Sequence, residues 1–438
     1  MSRAAAALWL IVAAALTAIP SDSAASTPIP SVLRHRFANG LTLLVRENPA
    51  APVVAVSFQV RMGGRWERPD DVGISNLLHH VMVKGTTRRS AREIAEAAEE
   101  IGGSVSASGD TDYSELRGTA LARHWKVLLD LIADVALRPS LPADEIENER
   151  RVILSQIRNR GDLPFPLTFD TLLAALYGPH PYGRPALGWR ETVERLDRAR
   201  LLDHYRRHYR AGWIVLAVSG QLSGPAVVEE VGRLFADLPA GSQADDPAPP
   251  APAAAGVRQV VERPAAQSQI VMGHLAPSLG QPDYAAVKVL STLLGSGMSG
   301  RLFVELRDKQ GLAYSLGAFY PSRVDTSFLV IHMGTAPENL ARAEEGLRRE
   351  VARIREEWVT PDELQRAKAY LLGNLAMDRR TNARQAWYLA FFELAGVGHE
   401  FLDRYAIAVE AVTIADVHRV ADLYLRSPTV TVLKPIPK

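Results

Sequence analysis

The chain has 438 residues and no cysteine, and its 50 basic and 49 acidic side chains leave a formal net charge of +1. Without cysteine there are no disulfides, thiolate zinc sites, iron–sulfur clusters or cysteine nucleophiles, so any metal site must use His, Asp and Glu. The balanced charge disfavours a dedicated nucleic-acid binder, and a hydrophobic fraction of 47% excludes wholesale disorder. This length predicts two or three domains.

The first residues predict a secretory signal peptide over residues 1–25. Arg3 precedes the apolar run AAAALWLIVAAALTAI, and the small residues Ser23, Ala24 and Ala25 resemble a cleavage site. The alternative is an uncleaved membrane anchor, for which the run is short. We therefore expect a periplasmic or secreted protein that has no membrane contact after signal removal and no nucleic-acid partner.

A change of composition divides the rest of the chain into two halves of similar length. Residues 239–257 are rich in Pro and Ala and lack apolar periodicity, which predicts an extended linker. The predicted domains are therefore an N-terminal domain over 30–238 and a C-terminal domain over 258–438.

The first half predicts strands at LTLLVREN and VVAVSFQVRMGG, then a helix at about 73–84 and another that begins after Ser90. Strands follow at SVSASGD and YSELRGTAL, and long helices at HWKVLLDLIADVAL and PADEIENERRVILSQIRNR. The half ends with the strand WIVLAVSGQ and the helix PAVVEEVGRLFADL.

The second half repeats this outline. It predicts strands at SQIVMGHLA, LAYSLGAFYP and TSFLVIHMGT, and helices at DYAAVKVLSTLLG, NLARAEEGLRREVARIREEW and TPDELQRAKAYLLGNLAM. The similar order indicates an internal duplication. The expected fold class is α+β, with two similar domains that each have a mostly antiparallel sheet and helices packed on one face.

Residues 73–86, GISNLLHHVMVKGT, contain a candidate metal site. Their apolar residues follow a helical period, which predicts that Asn76, His79 and His80 share the opposite flank. Adjacent imidazoles on a helix point about 100° apart and do not readily chelate one ion. On the residues alone, both a metal site and a structural role stay open.

This stretch resembles the inverted zinc motif HxxEH of the pitrilysin/insulinase-type metallopeptidases, which include the mitochondrial processing peptidases. Asn76 stands where the family has its first zinc-binding His, and His79 stands where it has the catalytic Glu. The positions that match the family pattern are Gly73, His80, Lys84, Gly85 and Thr86.

The resemblance continues in ENERRVILSQI, residues 147–157. Gln156 stands at the position of the family's third zinc ligand, a Glu, and Glu149 matches the acidic residue that supports the site. The resemblance therefore implies that no catalytic residue is intact and that this chain holds no metal. HPYGRPALG, residues 180–188, is similar to a further loop of the family.

The second half retains a different family feature in LLGSGMSGRLFVELRDKQGLAY, residues 293–314. Arg307 and Tyr314 match an Arg/Tyr pair that contacts the substrate backbone beside the scissile bond in the family. A guanidinium and a phenol can hydrogen-bond a peptide carbonyl. The alternative is a solvated helix charge and a half-buried strand aromatic.

The resemblance implies a non-catalytic, substrate-binding subunit of a heterodimeric zinc metallopeptidase. We expect such a chain to be inactive alone and to bind an unfolded peptide, while a homologous partner subunit supplies HxxEH and zinc. One alternative is a structural or assembly protein that resembles the peptidase-like core subunits of a respiratory complex. Another alternative is a stand-alone peptide-binding protein.

Overall fold

The computed structural model describes residues 32–241, 249–252 and 256–436. The predicted signal peptide over 1–25 lies outside these residues, as does much of the predicted linker over 239–257. Among the described residues, no helix combines the length and the apolar composition that crossing a membrane requires.

The described part of the first half contains six strands and eight α-helices, close to the predicted order. The strands are β1 (Val32–Arg36), β2 (Thr42–Glu47), β3 (Val53–Val60), β4 (Ser104–Gly109), β5 (Ser114–Leu121) and β6 (Ile214–Gly220). The helices are α1 (Ile74–Met82), α2 (Ala91–Glu100), α3 (Trp125–Leu137), α4 (Ala143–Asp162), α5 (Pro164–Tyr177), α6 (Arg190–Val193), α7 (Arg198–His208) and α8 (Gly224–Leu234).

The described part of the second half contains five strands and six α-helices. The strands are β7 (Arg258–Pro264), β8 (Ser268–Ala276), β9 (Ser315–Phe319), β10 (Ser327–Thr335) and β11 (Thr429–Ile436). The helices are α9 (Tyr284–Gly295), α10 (Leu340–Glu356), α11 (Pro361–Asp378), α12 (Asn382–Leu394), α13 (Phe401–Ala411) and α14 (Ile414–Tyr424).

Local signals in the sequence set several helix starts. Ser90 forms a capping box with Glu93 at the start of α2, and Thr360 forms one with Glu363 at the start of α11. Each pair satisfies two amide groups that have no partner within the helix. The predicted helix start after Ser90 is thereby confirmed.

The two sheets share one topology. The first sheet has the order β1-β2-β6-β3-β5-β4, and the second has the order β7-β11-β8-β10-β9. The pairs β2–β6 and β7–β11 are parallel, and all other pairs are antiparallel. If β1 is set aside, each strand of the first sheet therefore has a counterpart in the second, which confirms the predicted fold class of two similar α+β units.

Each sheet is covered on one face by helices of its own half and on the other by a helix of the other half. Helix α12 packs on β3 and β6 of the first sheet, and α5 packs on β8 and β11 of the second. In this exchange of helices, each half supplies one helix to the sheet of the other half. The exchange explains why the central strands β3 and β6 are almost entirely buried. Strands that are buried on both faces are expected to be apolar at nearly every position.

Polar contacts fix the two exchanged helices. Asn382, the first residue of α12, donates from Nδ2 to Val53 O at 3.0 Å and accepts from Asn48 Nδ2 at 2.8 Å. At the end of α5, the Tyr177 hydroxyl donates to Thr326 O at 2.8 Å. The two halves are therefore connected by buried helices as well as by the chain between them.

Candidate functional site

Helix α1 carries the candidate metal position, and a buried carboxylate caps its first turn. Glu67 accepts hydrogen bonds from Gly73 N at 2.8 Å and Ser75 N at 2.9 Å. Burial raises the pKa of Glu67, and these hydrogen bonds act in the opposite direction. Gly73 has a φ of 95°, and a Cβ there would lie 2.7 Å from the Gly188 Cα. The motif therefore requires glycine at this position.

Asn76 lies in the first turn of α1, beside the end of β4. A Cβ at Gly109, the last residue of β4, would lie 3.8 Å from the Asn76 Cα. The Asn76 side chain is partly exposed, but its Nδ2 is buried and has no acceptor among the described residues. A neutral amide is a poor zinc ligand compared with the imidazole that the family motif has here.

His79 is completely buried, although it lies with Asn76 and His80 on the flank of α1 opposite the apolar stripe. Helix α1 packs against β4 and α7, so His79 faces the interior, and its Nε2 lies 3.2 Å from the Tyr209 hydroxyl. Burial lowers the pKa of His79 to about 3, and the nearby His80 also lowers it. The imidazole is therefore neutral at pH 7 and has no access to solvent.

His80 contacts the acidic residue on α4 that the sequence placed beside the site. Its Nδ1 lies 3.5 Å from Glu149 Oε2, and Lys84, two residues beyond the end of α1, places Nζ 2.9 Å from Glu149 Oε1. Glu149 is only 8% exposed. Its carboxylate therefore serves as the partner of two basic groups and connects α1 to α4.

Gln156 lies on α4 two turns beyond Glu149, about 10 Å along the helix axis. Its side chain is exposed to solvent. The structure thus brings Glu149 to His80, and it leaves a neutral, solvated amide at the predicted third ligand position.

Arg307 and Tyr314 lie at the two ends of a hydrogen-bonded turn in the second half. Gly311 N donates to Arg307 O at 3.0 Å, and Leu312 N donates to Leu306 O at 2.9 Å. Gly311 closes the turn with a φ of 61°. Tyr314, predicted on a strand, lies immediately before β9, where its amide already pairs with strand β10.

Both side chains of this turn are open to solvent. The Arg307 guanidinium lies 5.0 Å from the centre of the Phe303 ring, and Tyr314 is 76% exposed. Tyrosine and arginine are residue types that are enriched at the energetically important positions of binding surfaces. The geometry can thus present a guanidinium and a phenol to a ligand.

A group of charged residues between the halves was missed by sequence reasoning. This junction cluster consists of Asp110, Asp112, Tyr182, Arg323 and Asp325. The Arg323 Nη1 lies 2.5 Å from Asp110 Oδ1 and 3.5 Å from Asp112 Oδ2. The Tyr182 hydroxyl donates to Asp112 and accepts from Asp325 N at 3.0 Å.

Within the junction cluster, the pKa values of the Asp112 and Asp110 carboxyl groups are shifted in opposite directions. Burial raises the pKa of Asp112 to about 6, although Arg323 opposes this rise. Burial acts on Asp110 in the same direction, but Arg323 and the Thr111 amide outweigh it and lower the pKa of Asp110. In the sequence, only Tyr182 carried a signal, as part of HPYG, because the cluster's other members lie more than 60 positions away along the chain.

The protein is peptidase-like. It has two similar units, with a degenerate inverted zinc motif in the first and an Arg/Tyr turn in the second. The family model described as Insulinase (Peptidase family M16) matches residues 42–189, and the one described as Peptidase M16 inactive domain matches residues 195–371. An uncharacterized zinc protease of Mycobacterium tuberculosis is 30% identical over 410 residues, which cover 92% of each chain. The chain belongs to the insulinase, or M16, peptidase family.

Other relatives and solved structures agree with this family. The uncharacterized zinc protease YmxG of Bacillus subtilis is 28% identical, with 89% of this chain and 95% of that protein covered. A peptidase M16 inactive domain from Pseudomonas fluorescens has a TM-score of 0.87 at 22% identity, covering 93% of this chain and 99% of that one. A protease from Helicobacter pylori also has a TM-score of 0.87, at 23% identity and 93% and 100% coverage.

The residues present do not fit the zinc ion that the family implies. Of the three ligand positions, only His80 offers a strong zinc donor, and Asn76 and Gln156 offer amides. Within the described residues, no group of three or more His, Asp or Glu side chains is arranged to hold a metal. The nearby Glu149 carboxylate is paired with Lys84 and lies beside His80.

Proposed function

We propose that this chain is a non-catalytic, substrate-binding subunit of a two-chain zinc metallopeptidase. A homologous partner would supply HxxEH and zinc, and the substrate would be an unfolded peptide. The observation that carries the proposal is an intact two-sheet architecture in which only one of the three metal-ligand positions, His80, keeps a strong zinc donor. We propose the periplasm or the extracellular space as the location.

The altered residues at the metal position support a role without catalysis in this chain. A metallopeptidase needs a water that is activated by the metal and a base that can take its proton. His79 occupies the position of the base, but it is buried against Tyr209 and its pKa is lowered to about 3. This imidazole is not placed to take a proton from a water in an open site.

Other features of the chain support peptide binding. Strands β4 and β9 are the last strands of their sheets, and each has one edge without a neighbouring strand in the described structure. Such edges can accept an extended peptide through main-chain hydrogen bonds. Tyr314 precedes β9 directly, so the exposed Arg307 and Tyr314 lie where side chains can contact a peptide bound at that edge.

The test is a reconstitution assay. The chain that co-purifies with this protein from its native source is identified, and a homologue that bears HxxEH is mixed with this chain. Cleavage of an unfolded fluorogenic peptide is then followed with and without a chelator. We expect no cleavage by this chain alone and chelator-sensitive cleavage by the mixture. Chelator-sensitive cleavage by the isolated chain would contradict the proposal.

Variants of the turn test the substrate-binding role in the same assay. Arg307→Ala should lower the rate of the mixture by about tenfold or more, because it removes a donor to the peptide. Lys309→Ala is the matched control, since Lys309 lies in the same turn and its partner there is Glu305. An unchanged rate with both Arg307→Ala and Tyr314→Phe would favour a structural or assembly role.

A further inference from the structure

One face of the hairpin formed by β4 and β5 is polar. Successive side chains of a strand point to opposite faces of a sheet, so the side chains of residues that pair across the hairpin share one face. On this face, Ser104 pairs with Thr119 and Ser106 pairs with Arg117, and Glu115 lies two residues before Arg117. It is the same face of the sheet on which α12 packs.

Helix α12 leaves open space beside this polar face. The helix covers β3 and β6, and a cavity of about 220 Å³ lies between its first turns and the hairpin. The five polar residues named above line the cavity, and Ala383, Arg384 and Trp387 line it from the side of α12. A side chain that arrives from outside can therefore enter above β4 and β5.

Two of the charged groups in the cavity wall already have partners. The Arg384 Nη2 lies 2.7 Å from Asp378 Oδ2, and the guanidinium lies 4.3 Å from the centre of the Trp387 ring. Glu115 is 3% exposed and accepts a hydrogen bond from the Ser57 hydroxyl. Burial raises the pKa of Glu115, although its hydrogen bonds act in the opposite direction. Neither group is left to pair with a ligand.

Arg117 is the remaining charged group of the cavity wall. Its side chain is exposed, and no carboxylate within the part of the chain that the structure describes forms an ion pair with it. Its Nε donates to Ser106 Oγ at 3.0 Å. Because Ser106 lies on β4, the last strand of the sheet, this hydrogen bond holds the guanidinium over β4 and near the open edge.

The pairing within the hairpin shows which groups of β4 face the open edge. At the turn, Asp110 N donates to Tyr113 O at 2.8 Å, and hydrogen-bonded pairs alternate along an antiparallel ladder. The main-chain groups of Ser106 therefore point to β5, and those of Val105 and Ala107 point to the edge. An added antiparallel strand would place the residue opposite Ser106 in a non-hydrogen-bonded pair, with Cα atoms about 4.5 Å apart.

We infer that the β4 edge selects an extended peptide whose side chain opposite Ser106 carries a carboxylate, with Arg117 as its partner. This inference rests on the proposed function and specifies the substrate as a peptide with Asp or Glu at that position. The carboxylate shares the face of Ser106, so it lies within reach of the Arg117 guanidinium. Opposite charges on neighbouring strands stabilise the pairing of the strands.

The probe is a pair of unfolded decapeptides that differ only in one central residue, Glu or Gln. Each competes with a dye-labelled copy of the Gln peptide for the full chain. The native chain should bind the Glu peptide about threefold to fivefold more tightly at low ionic strength. Arg117→Gln should remove this preference and leave the affinity for the Gln peptide within about twofold.

Two further variants separate the position of Arg117 from its charge. Arg342→Gln makes the same change of net charge at an exposed position of α10 in the second half and should keep the preference. Ser106→Ala keeps the charge and should lower the preference, because the guanidinium loses the hydrogen bond that holds it over β4.

The possible results distinguish this inference from the proposed function. Loss of the preference in Arg117→Gln but not in Arg342→Gln supports the inference. Equal affinity of the native chain for both peptides, or a preference that survives Arg117→Gln, overturns it and leaves peptide binding by this chain intact. Absence of binding by both peptides contradicts the inference and the proposed substrate-binding role together.

Discussion

Single side chains decide whether α1 and α4 can hold a metal. At two of the three ligand positions, Asn76 and Gln156 replace groups that donate strongly to zinc with neutral amides. The third position keeps His80, which lies beside Glu149 together with Lys84. Glu149, which matches the acidic residue that supports the zinc site in the family, thus remains and stabilises the contact between α1 and α4.

The junction cluster makes a prediction about pH. The pKa of Asp112 in the folded chain, about 6, lies above its ordinary value of 3.8. The protonated form therefore favours folding, so this stabilisation is complete below about pH 4 and is lost as the pH rises through about 6. Asp112→Asn keeps an acceptor for Tyr182 and should reduce the loss of stability between pH 5 and pH 7.5 by about 1 kcal/mol.

Urea unfolding at a series of pH values measures this effect. Asp237→Asn, at an exposed position, makes the same change of charge and should leave the pH dependence unaltered. The same slope in Asp112→Asn and in the native chain would show that Asp112 does not titrate in this range.

At the residue scale, the sequence predicted the altered motif positions and could not predict the burial of His79. The helical period of α1 identifies one apolar stripe, and that stripe is buried as predicted. His79 is buried as well, because β4 and α7 pack on a second side of the helix. That packing depends on segments 25 to 130 residues further along the chain, which no local pattern reveals.

Helices α5 and α12 are the elements that turn two similar sheets into one unit. Each is apolar on more than one side and covers the sheet of the opposite half. Strand and helix periods predicted most other elements, including β3, α4 and α10, because those signals are local. The exchange could not be predicted, since a helix that is apolar on several sides does not indicate which sheet it covers.

Replacing a large buried side chain of α12 with alanine tests whether this exchanged helix stabilises the sheet of the other half. Leu389 packs in a buried cluster with Leu44 and Val215 of the first sheet. Leu389→Ala should lower the free energy of unfolding by about 2–5 kcal/mol, because it leaves a cavity between the two halves. Ile407→Ala in the neighbouring α13, where the side chain is 71% exposed, should change it by no more than about 0.5 kcal/mol.

Both variants are measured by urea unfolding under the same conditions. A loss of less than about 0.5 kcal/mol in Leu389→Ala would mean that α12 contributes little to the stability of the first sheet.

At the scale of the molecule, two similar halves carry different parts of a family site. The first half has the metal position with one of its three donors left, and the second has an exposed Arg307 and Tyr314. The sequence could predict which half carries which motif, because each motif is short and the spacing between its positions matches the family pattern. It could not predict the junction cluster, because that cluster is assembled from distant segments.

The zinc content of the purified chain, measured by mass spectrometry after equilibration with zinc and dialysis, tests the central claim most directly. The native chain should retain far less than one zinc ion per molecule. The double variant Asn76→His/Gln156→Glu restores the family's three donors without changing the buried His79 and should retain about one. About one tightly bound zinc ion per native chain would contradict the claim that this chain has lost its metal site.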